Sequence, residues 1–330
     1  MSAFSRWTSL ADAPPPDAAV EIAAHRVSAI SIETRSGRPV VAAHASEPLP
    51  EGALVPSLTA HNVRDVHGRA TVVAALKRVL DAVGRPRRIG LVVPDPIAKV
   101  SLVRFAQVPA RANELEQLIR WQMRKAAPFP IEEAQISFTR GIRADNEQEF
   151  LVSMARRDVV VEYEDLCSAA GAHAGILDIS TFNVINAAGA VTAGAVPTPA
   201  DWLLVNVASD YASIAIMRGP NLILFRSRGA DSEGTLADLV HQTAMYYEDR
   251  LQGAGFGRVM LSGASAAGAQ AADIEDLRRG LQERLATTVE TVDPRGAVGL
   301  IDRITASAAF LDMITPLVGV LLRDRNEAAA

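Results

Sequence analysis

"DWLLVNVASDYASIAIMRGPNLILFRSR", residues 201–228, reads as three short strands joined by tight turns. Two β-rich runs, "DWLLVNVAS" and "YASIAIMRG", are followed by a turn at Arg218-Gly219-Pro220-Asn221 and a third run, "LILFRSR". A helix, "TLADLVHQTAMYYEDRL", and a strand, "RVMLSGAS", come next. The same order occurs earlier in the chain. "AAVEIAA" leads into "RVSAISIET", and a turn at Ser36-Gly37-Arg38-Pro39 leads to "VVAAHA". The helical "ATVVAALKRVLDAVG" follows, with Gly84 placed to stop it, and then the strand "RIGLVVP". Such turns are common singly; the same five-element order used twice points to a duplicated lobe.

Between the copies lies a third unit. It holds a strand near "AKVSLVRFA", the helix of "LEQLIRWQMRKAAPFPIEE", strands near "AQISFTRGI" and "EFLVSMA", and the helix "RDVVVEYEDLCSAAG". "AGILDIS" and "TFNVINAAGA" then return to the first half. A two-lobed α/β molecule with an inserted subdomain, and a cleft between the lobes, follows from this order.

Composition narrows the function. The net charge of -5 argues against a nucleic-acid partner. Cys167 is the single cysteine, so no intrachain disulfide forms, and with scattered histidines a structural zinc site is not expected. "MSAFSRWTSLADAPPPD" lacks the continuous apolar core of a signal peptide and reads as a flexible lead-in, although Phe4, Trp7 and Leu10 sit at helical spacing. "PLVGVLL" is far shorter than the roughly 20 apolar residues of a membrane-spanning helix. A cytosolic protein is expected.

Four stretches carry a resemblance to a known family: "LEQLIRWQMRKAAPFPIEEAQISF", "GILDISTFNVINA", "LLVNVASDYASIAIMRG" and "TPLVGVLLR". They resemble PilM, the type IV pilus assembly protein of the FtsA branch of the actin-like ATPases, and the helix followed by Pro-Phe-Pro is the most specific of them. The resemblance implies a duplicated actin-like (ribonuclease H-like) two-lobed α/β fold with an inserted α+β subdomain. The expected division is a tail over 1–17, a first lobe over 18–93 continued by 175–200, an inserted unit over 94–174, a second lobe over 201–323 closed by a C-terminal helix, and a tail over 324–330. In "ITPLVGVLLRDR", Thr315 is the expected N-cap and Pro316 the first helical residue.

The family's nucleotide cleft would fall on Glu21, His25, Asn206, Ser209 and Gly263. The usual Asp-x-Gly hairpins bring backbone N–H groups to phosphate and an acid to Mg²⁺. Here Ala23 and Ala208 replace the glycines, and Asn206 replaces the acid of the second copy. Asp210 sets a carboxylate where phosphate belongs, a repulsion of roughly 1–4 kcal/mol at about 4 Å. Ala264 stands where a second glycine is usual, and "RSRGADSEGTLADL" leaves no room for the small helical subdomain that covers the nucleotide. A degenerate site with no cofactor is the expectation; the alternative is a working ATPase or filament former that takes ATP and Mg²⁺. Asp178 and Glu133 have no evident partner, and no residue is assigned a catalytic role.

The resemblance also implies a partner: the short cytoplasmic tail of a single-pass inner-membrane protein, gripped by the inserted subdomain, with the chain peripheral to that membrane. Arg120, Trp121, Arg124 and Phe129 offer aromatic and guanidinium surface for it. The competing reading of each is a core position or a solvated helix face. A second copy of the chain is a further candidate partner, and the cytoplasmic protein of a type II secretion platform is the alternative within this class. Purified protein is expected to release no phosphate from Mg²⁺-ATP above a heat-treated control; steady turnover abolished by Glu21→Ala would contradict the degenerate site.

Overall fold

The computed structural model describes residues 16–192, 200–230 and 232–327. Phe4, Trp7 and Leu10 of the expected lead-in, and residues 328–330 of the expected C-terminal tail, lie outside the described residues. The first repeat forms β1 (Ala18–Ala23), β2 (Arg26–Arg35), β3 (Arg38–Pro48), α1 (Val66–Ala82) and β4 (Arg88–Val93). Ser36 and Gly37, with φ of 50° and 77°, make the turn between β2 and β3, a conformation whose twist matches the strands it joins. Asp65 caps α1 by accepting from the Gly68 amide at 2.7 Å, and Gly84 follows its end at a φ of 93°.

The insertion contributes β5 (Ala98–Phe105), α2 (Ala112–Met123), β6 (Ala134–Ala144) and β7 (Glu147–Arg156). Then come α3 (Arg157–Ala169), β8 (His173–Ile179) and α4 (Ser180–Thr192). The second repeat supplies β9 (Trp202–Val207), β10 (Tyr211–Arg218), β11 (Asn221–Gly229), α5 (Leu236–Leu251) and β12 (Arg258–Ser262). α6 (Ala271–Leu285), β13 (Val289–Thr291), β14 (Gly299–Leu300) and α7 (Ala308–Glu327) complete the chain.

The strand orders are β14-β3-β2-β1-β4-β8, β11-β10-β9-β12-β13 and β5-β7-β6. Apart from β14 the two large sheets have one plan: three antiparallel strands, then two added parallel to the first of them. Strand alternation gives each sheet two apolar faces. On one side of the first sheet, Val20, Ile22 and Val27 pack with Val72 and Leu76 of α1 and Val159 and Tyr163 of α3. On the other, Ala19, Ile30 and Val92 pack with Ile314, Leu317 and Leu321 of α7. The second sheet does the same, burying Leu203, Val205 and Ile214 against Val240 of α5 and Leu281 of α6, and Leu204 and Ala215 against Val184 and Ala188 of α4. The layers therefore run α1/α3, first sheet, α7, α4, second sheet, α5/α6.

This packing corrects three expected boundaries. α3, placed in the insertion by the 94–174 division, belongs to the first lobe's outer core, because Val159, Tyr163, Leu166 and Cys167 form its apolar stripe. α7, expected to close the second lobe, covers the first sheet, and β14 pairs with β3 of that same sheet. α4, expected with the first lobe, packs on the second sheet. At the ends, the Asp17 carbonyl accepts from the Ile32 amide at 2.8 Å, and α7 continues to Glu327, so Asp17 and residues 324–327 are not parts of tails as expected.

Thr315 is not an N-cap. α7 begins at Ala308, Ser307 caps it through its hydroxyl and the Phe310 amide at 3.2 Å, and Pro316 lies inside the helix. The Thr315 hydroxyl instead donates to the Leu311 carbonyl at 2.7 Å. A proline inside a helix costs about 3 kcal/mol. Phe310, Met313 and Ile314 before it share one apolar face with Leu317, Val318 and Leu321 after it. At about 1.5–3 kcal/mol per buried side chain, that continuity outweighs the lost hydrogen bond.

α7 and α4 meet at Gly319, where a Cβ would stand 1.8 Å from the Asn183 carbonyl oxygen. The obstacle is backbone, so no rotamer relieves it. Gly319→Ala is expected to destabilise the fold by about 3 kcal/mol, seen as a lower denaturation midpoint. Gly189→Ala, on the same α4 where nothing lies within 4 Å, is the control and is expected to stabilise by about 1 kcal/mol.

Candidate functional site: the inter-lobe cleft and the adjoining groove

Strand alternation aims the ends of β1 and β9 at each other. Glu21 shares a face with Ala19, and Asn206 with Leu204, so both point inward between the sheets. The registers match: Glu21 lies opposite Ser28, and Asn206 opposite Ser213. Of the residues expected around a nucleotide, Glu21, His25, Asn206 and Gly263 line one cavity of about 30 Å³, and Ser209 bonds His25 at its edge.

A buried carboxylate, missed in the sequence, joins the units behind this cavity. Asp95, in the loop after β4, is fully buried. It accepts from the Thr181 amide at 2.9 Å, from the Thr181 hydroxyl, and from the Ser213 hydroxyl at 2.5 Å. Asn206 donates to the Thr181 hydroxyl at 2.9 Å. Thr181 lies in the first turn of α4, where backbone N–H groups lack helical acceptors, so Asp95 satisfies that helix end from a distant segment. Burial nevertheless prevails over these donors and pushes the Asp95 carboxyl up to about 6.

The cleft is crossed by the chain's own side chains. Arg26, one residue beyond His25 in the first hairpin, bonds Glu21 Oε2 at 3.0 Å and the Ala266 carbonyl of the second lobe at 2.6 Å. His25 Nδ1 meets the Ser209 hydroxyl at 2.8 Å, and its Nε2 accepts from the Arg26 guanidinium at 2.7 Å. Burial and the Arg26 charge push the imidazole below its usual value, which keeps it neutral. From α7, Asp312 accepts from the Ser265 amide at 2.8 Å. Burial pushes its carboxyl up, and the amides of Gly263, Ser265 and Ala266 draw it back down. Gly263 is required here: its φ is 84°, and a Cβ would come within 2.2 Å of the Val207 carbonyl.

ATP with Mg²⁺ does not fit these residues. Ligand pockets of drug size run to about 300 Å³ or more. The acid that would face the metal is paired with Arg26, and the loop amides that would face an anion bind Asp312. Arg26 was not singled out in the sequence although it neighbours His25; Asp312 and Asp95 had no local signal.

A larger groove of about 490 Å³ opens where the insertion meets both lobes. Ser137, Leu151 and Ser153 of the three-stranded sheet face Leu177 of β8, Phe182 and Ile185 of α4 and Leu222 of β11 across it. Asp178, which seemed partnerless, lies in its wall bonded to Arg323 at 3.3 Å. The expected partner residues are elsewhere. Leu115, Ile119 and Met123 of α2 pack against Phe150, Val152 and Met154, the residues of β7 that alternate with the groove-facing ones. α2 thus covers the opposite face of that sheet. Trp121 is 62% exposed on it, which removes the core reading for that residue. Arg120 pairs with Glu116 at 3.0 Å, Arg124 with Glu132 at 3.4 Å, and Phe129 packs beside the insertion's core. None of the four lines the groove.

Comparison with known proteins decides the family. The profile of the type IV pilus assembly protein PilM matches residues 19–249. This chain belongs to the PilM family. The solved PilM-PilN type IV pilus biogenesis complex is similar to it with a TM-score of 0.74 and 17% identity, over 93% of this chain and 96% of that one. An actin-like ATPase-fold protein of unknown function from Bacteroides thetaiotaomicron matches at 0.47 and 11% identity, over 91% of this chain and 96% of that one. The cytoplasmic domain of EpsL, from the type II secretion system of Vibrio cholerae, matches at 0.45 and 9%, over 74% and 80%. The PilM-family chain is thus a two-lobed α/β protein built on two sheets of one plan, and among its described residues no helix is long and apolar enough to cross a membrane.

Asp95 makes the stability of this PilM-family chain depend on pH with a definite sign. Between about pH 4 and pH 6 the folded protein holds a proton that the unfolded chain has released. Stability from this group is therefore fully present at low pH and lost as pH rises through about 6, by an amount on the order of 3 kcal/mol. Urea midpoints across this range are expected to fall less with rising pH for Asp95→Asn than for the native chain; parallel profiles would show that Asp95 does not titrate there.

Proposed function

We propose that this chain is a cytoplasmic scaffold of a type IV pilus-like inner-membrane assembly platform, without ATPase turnover, that holds the short cytoplasmic tail of a single-pass membrane protein. The observation that carries the proposal is the groove of about 490 Å³, walled by the insertion and both lobes, beside an inter-lobe cavity of about 30 Å³. Family membership and the similarity to a PilM-PilN complex support it. β6 is an edge strand of its sheet and lines the groove through Ser137, Phe138 and Thr139, so an extended peptide there would find main-chain donors and acceptors beside apolar side chains. A short, partly apolar tail matches that lining. Attachment to the inner membrane would then come through the partner.

Ser153, opposite Val100 and Ser137 in the sheet, faces the groove without filling it. Ser153→Trp is expected to weaken binding of the cytoplasmic tail of the proposed single-pass partner by at least tenfold, about 1.4 kcal/mol, with the melting temperature retained. Trp121→Ala and Arg124→Glu, on the far face of the same sheet, are the comparison and are expected to bind as the native chain does. The reverse pattern would move the tail site to the exposed face of α2.

A further inference from the structure

A cleft between two lobes that closes on a ligand takes its bridging charges from that ligand. Here protein groups stand at both bridging positions. Beside Glu21, where a cation would neutralise the carboxylate, lies the Arg26 guanidinium at 3.0 Å. The pair is well buried, with side-chain exposures of 14% and 8%. At the 263–266 loop, where backbone amides would receive an anion, lies the Asp312 carboxylate. Both groups reach across the junction. Arg26 leaves the first lobe to bond the Ala266 carbonyl, and Asp312 leaves a helix packed on the first sheet to bond the second lobe's loop. His25 adds a link to Ser209 while its Nε2 accepts from Arg26.

We propose that the chain closes this cleft in cis: Arg26 serves as the cation beside Glu21 and Asp312 as the anion on the 263–266 loop, so the lobes are latched together without nucleotide. The latch deepens the scaffold reading, because both lobes wall the groove. Their latching keeps that groove in one arrangement, independent of the ATP level. A triphosphate would have to displace Arg26 from Glu21 and enter beside Asp312, a further carboxylate. Like charges at such distances repel, and the amides that would offset them are already bonded.

Amide hydrogen exchange on the full chain tests the latch without any partner, so its outcome is separate from that of tail binding. The native chain is expected to show protected amides at 206–211 and 263–268 that millimolar Mg²⁺-ATP leaves unchanged. Arg26→Ala and Asp312→Ala are each expected to raise exchange in these two segments about tenfold, while β4 and α1 stay protected. Where Arg26→Ala fails to fold, Arg26→Lys keeps the charge but not the forked contacts, and is expected to loosen the same segments. Slower exchange of the native chain at 263–268 on adding Mg²⁺-ATP would overturn the proposal. So would unchanged exchange in the folded Arg26 and Asp312 variants.

Discussion

The Asp95 carboxylate is the interaction on which the arrangement of the units depends. It leaves the first lobe at the entry to the insertion, accepts at the first turn of α4, and accepts again from Ser213 in the second lobe's hairpin. Those groups are buried with it, and each would be costly without an acceptor. One relative placement of lobe, helix and hairpin satisfies them together. The cost is visible in the carboxyl itself, which burial pushes up to about 6 despite its donors. A buried acid is a poor source of net stability, but an arrangement that misplaced any donor would be worse still.

Around this junction the duplication extends to single residues. Glu21 and Ser28 in one lobe match Asn206 and Ser213 in the other at the same register. The two halves meet the problem of an inward polar residue differently. Glu21 keeps a charge and is neutralised by Arg26, whereas Asn206 is neutral and donates to Thr181. Between them α7 and α4 cross at Gly319 with a backbone contact that admits no side chain. Close crossing there holds the two sheets near enough for hairpin side chains to touch.

The consequence is a division between two concavities. The inter-lobe cleft, which in actin-like proteins is the place for a nucleotide, is filled by His25, Arg26 and Asp312. The groove under the insertion is lined by Leu151, Phe182 and Leu222 with small hydroxyl residues between them. Such a surface offers apolar area and hydroxyls, with Arg323 already bonded to Asp178.

Whereas α6, β13 and β14 were not read, the strand and helix order of the two repeats, the duplication and the start of the insertion were legible in the sequence. They rest on local signals: alternating apolar residues, Gly37 and Gly219 at turns, Gly84 and Gly171 after helices. The residues facing the cleft were legible too, because a hairpin tip is set by its own two strands. What each helix packs against was not. α3, α4 and α7 carry apolar stripes that would suit either lobe, and only the closed structure assigns them. Helix capping misled at Pro316 for the same reason, since burial on the first sheet outweighs a local stop. The opening between insertion and lobes was likewise invisible. Alternation along β7 sends Phe150 and Val152 to α2 and Leu151 and Ser153 to the groove, but which face meets the lobes depends on contacts with distant segments such as α4 and β11. Sequence determined the elements through short-range backbone preference and periodicity; tertiary structure alone decided their partners, because Asp95, Arg26 and Asp312 find theirs only once distant segments have come together.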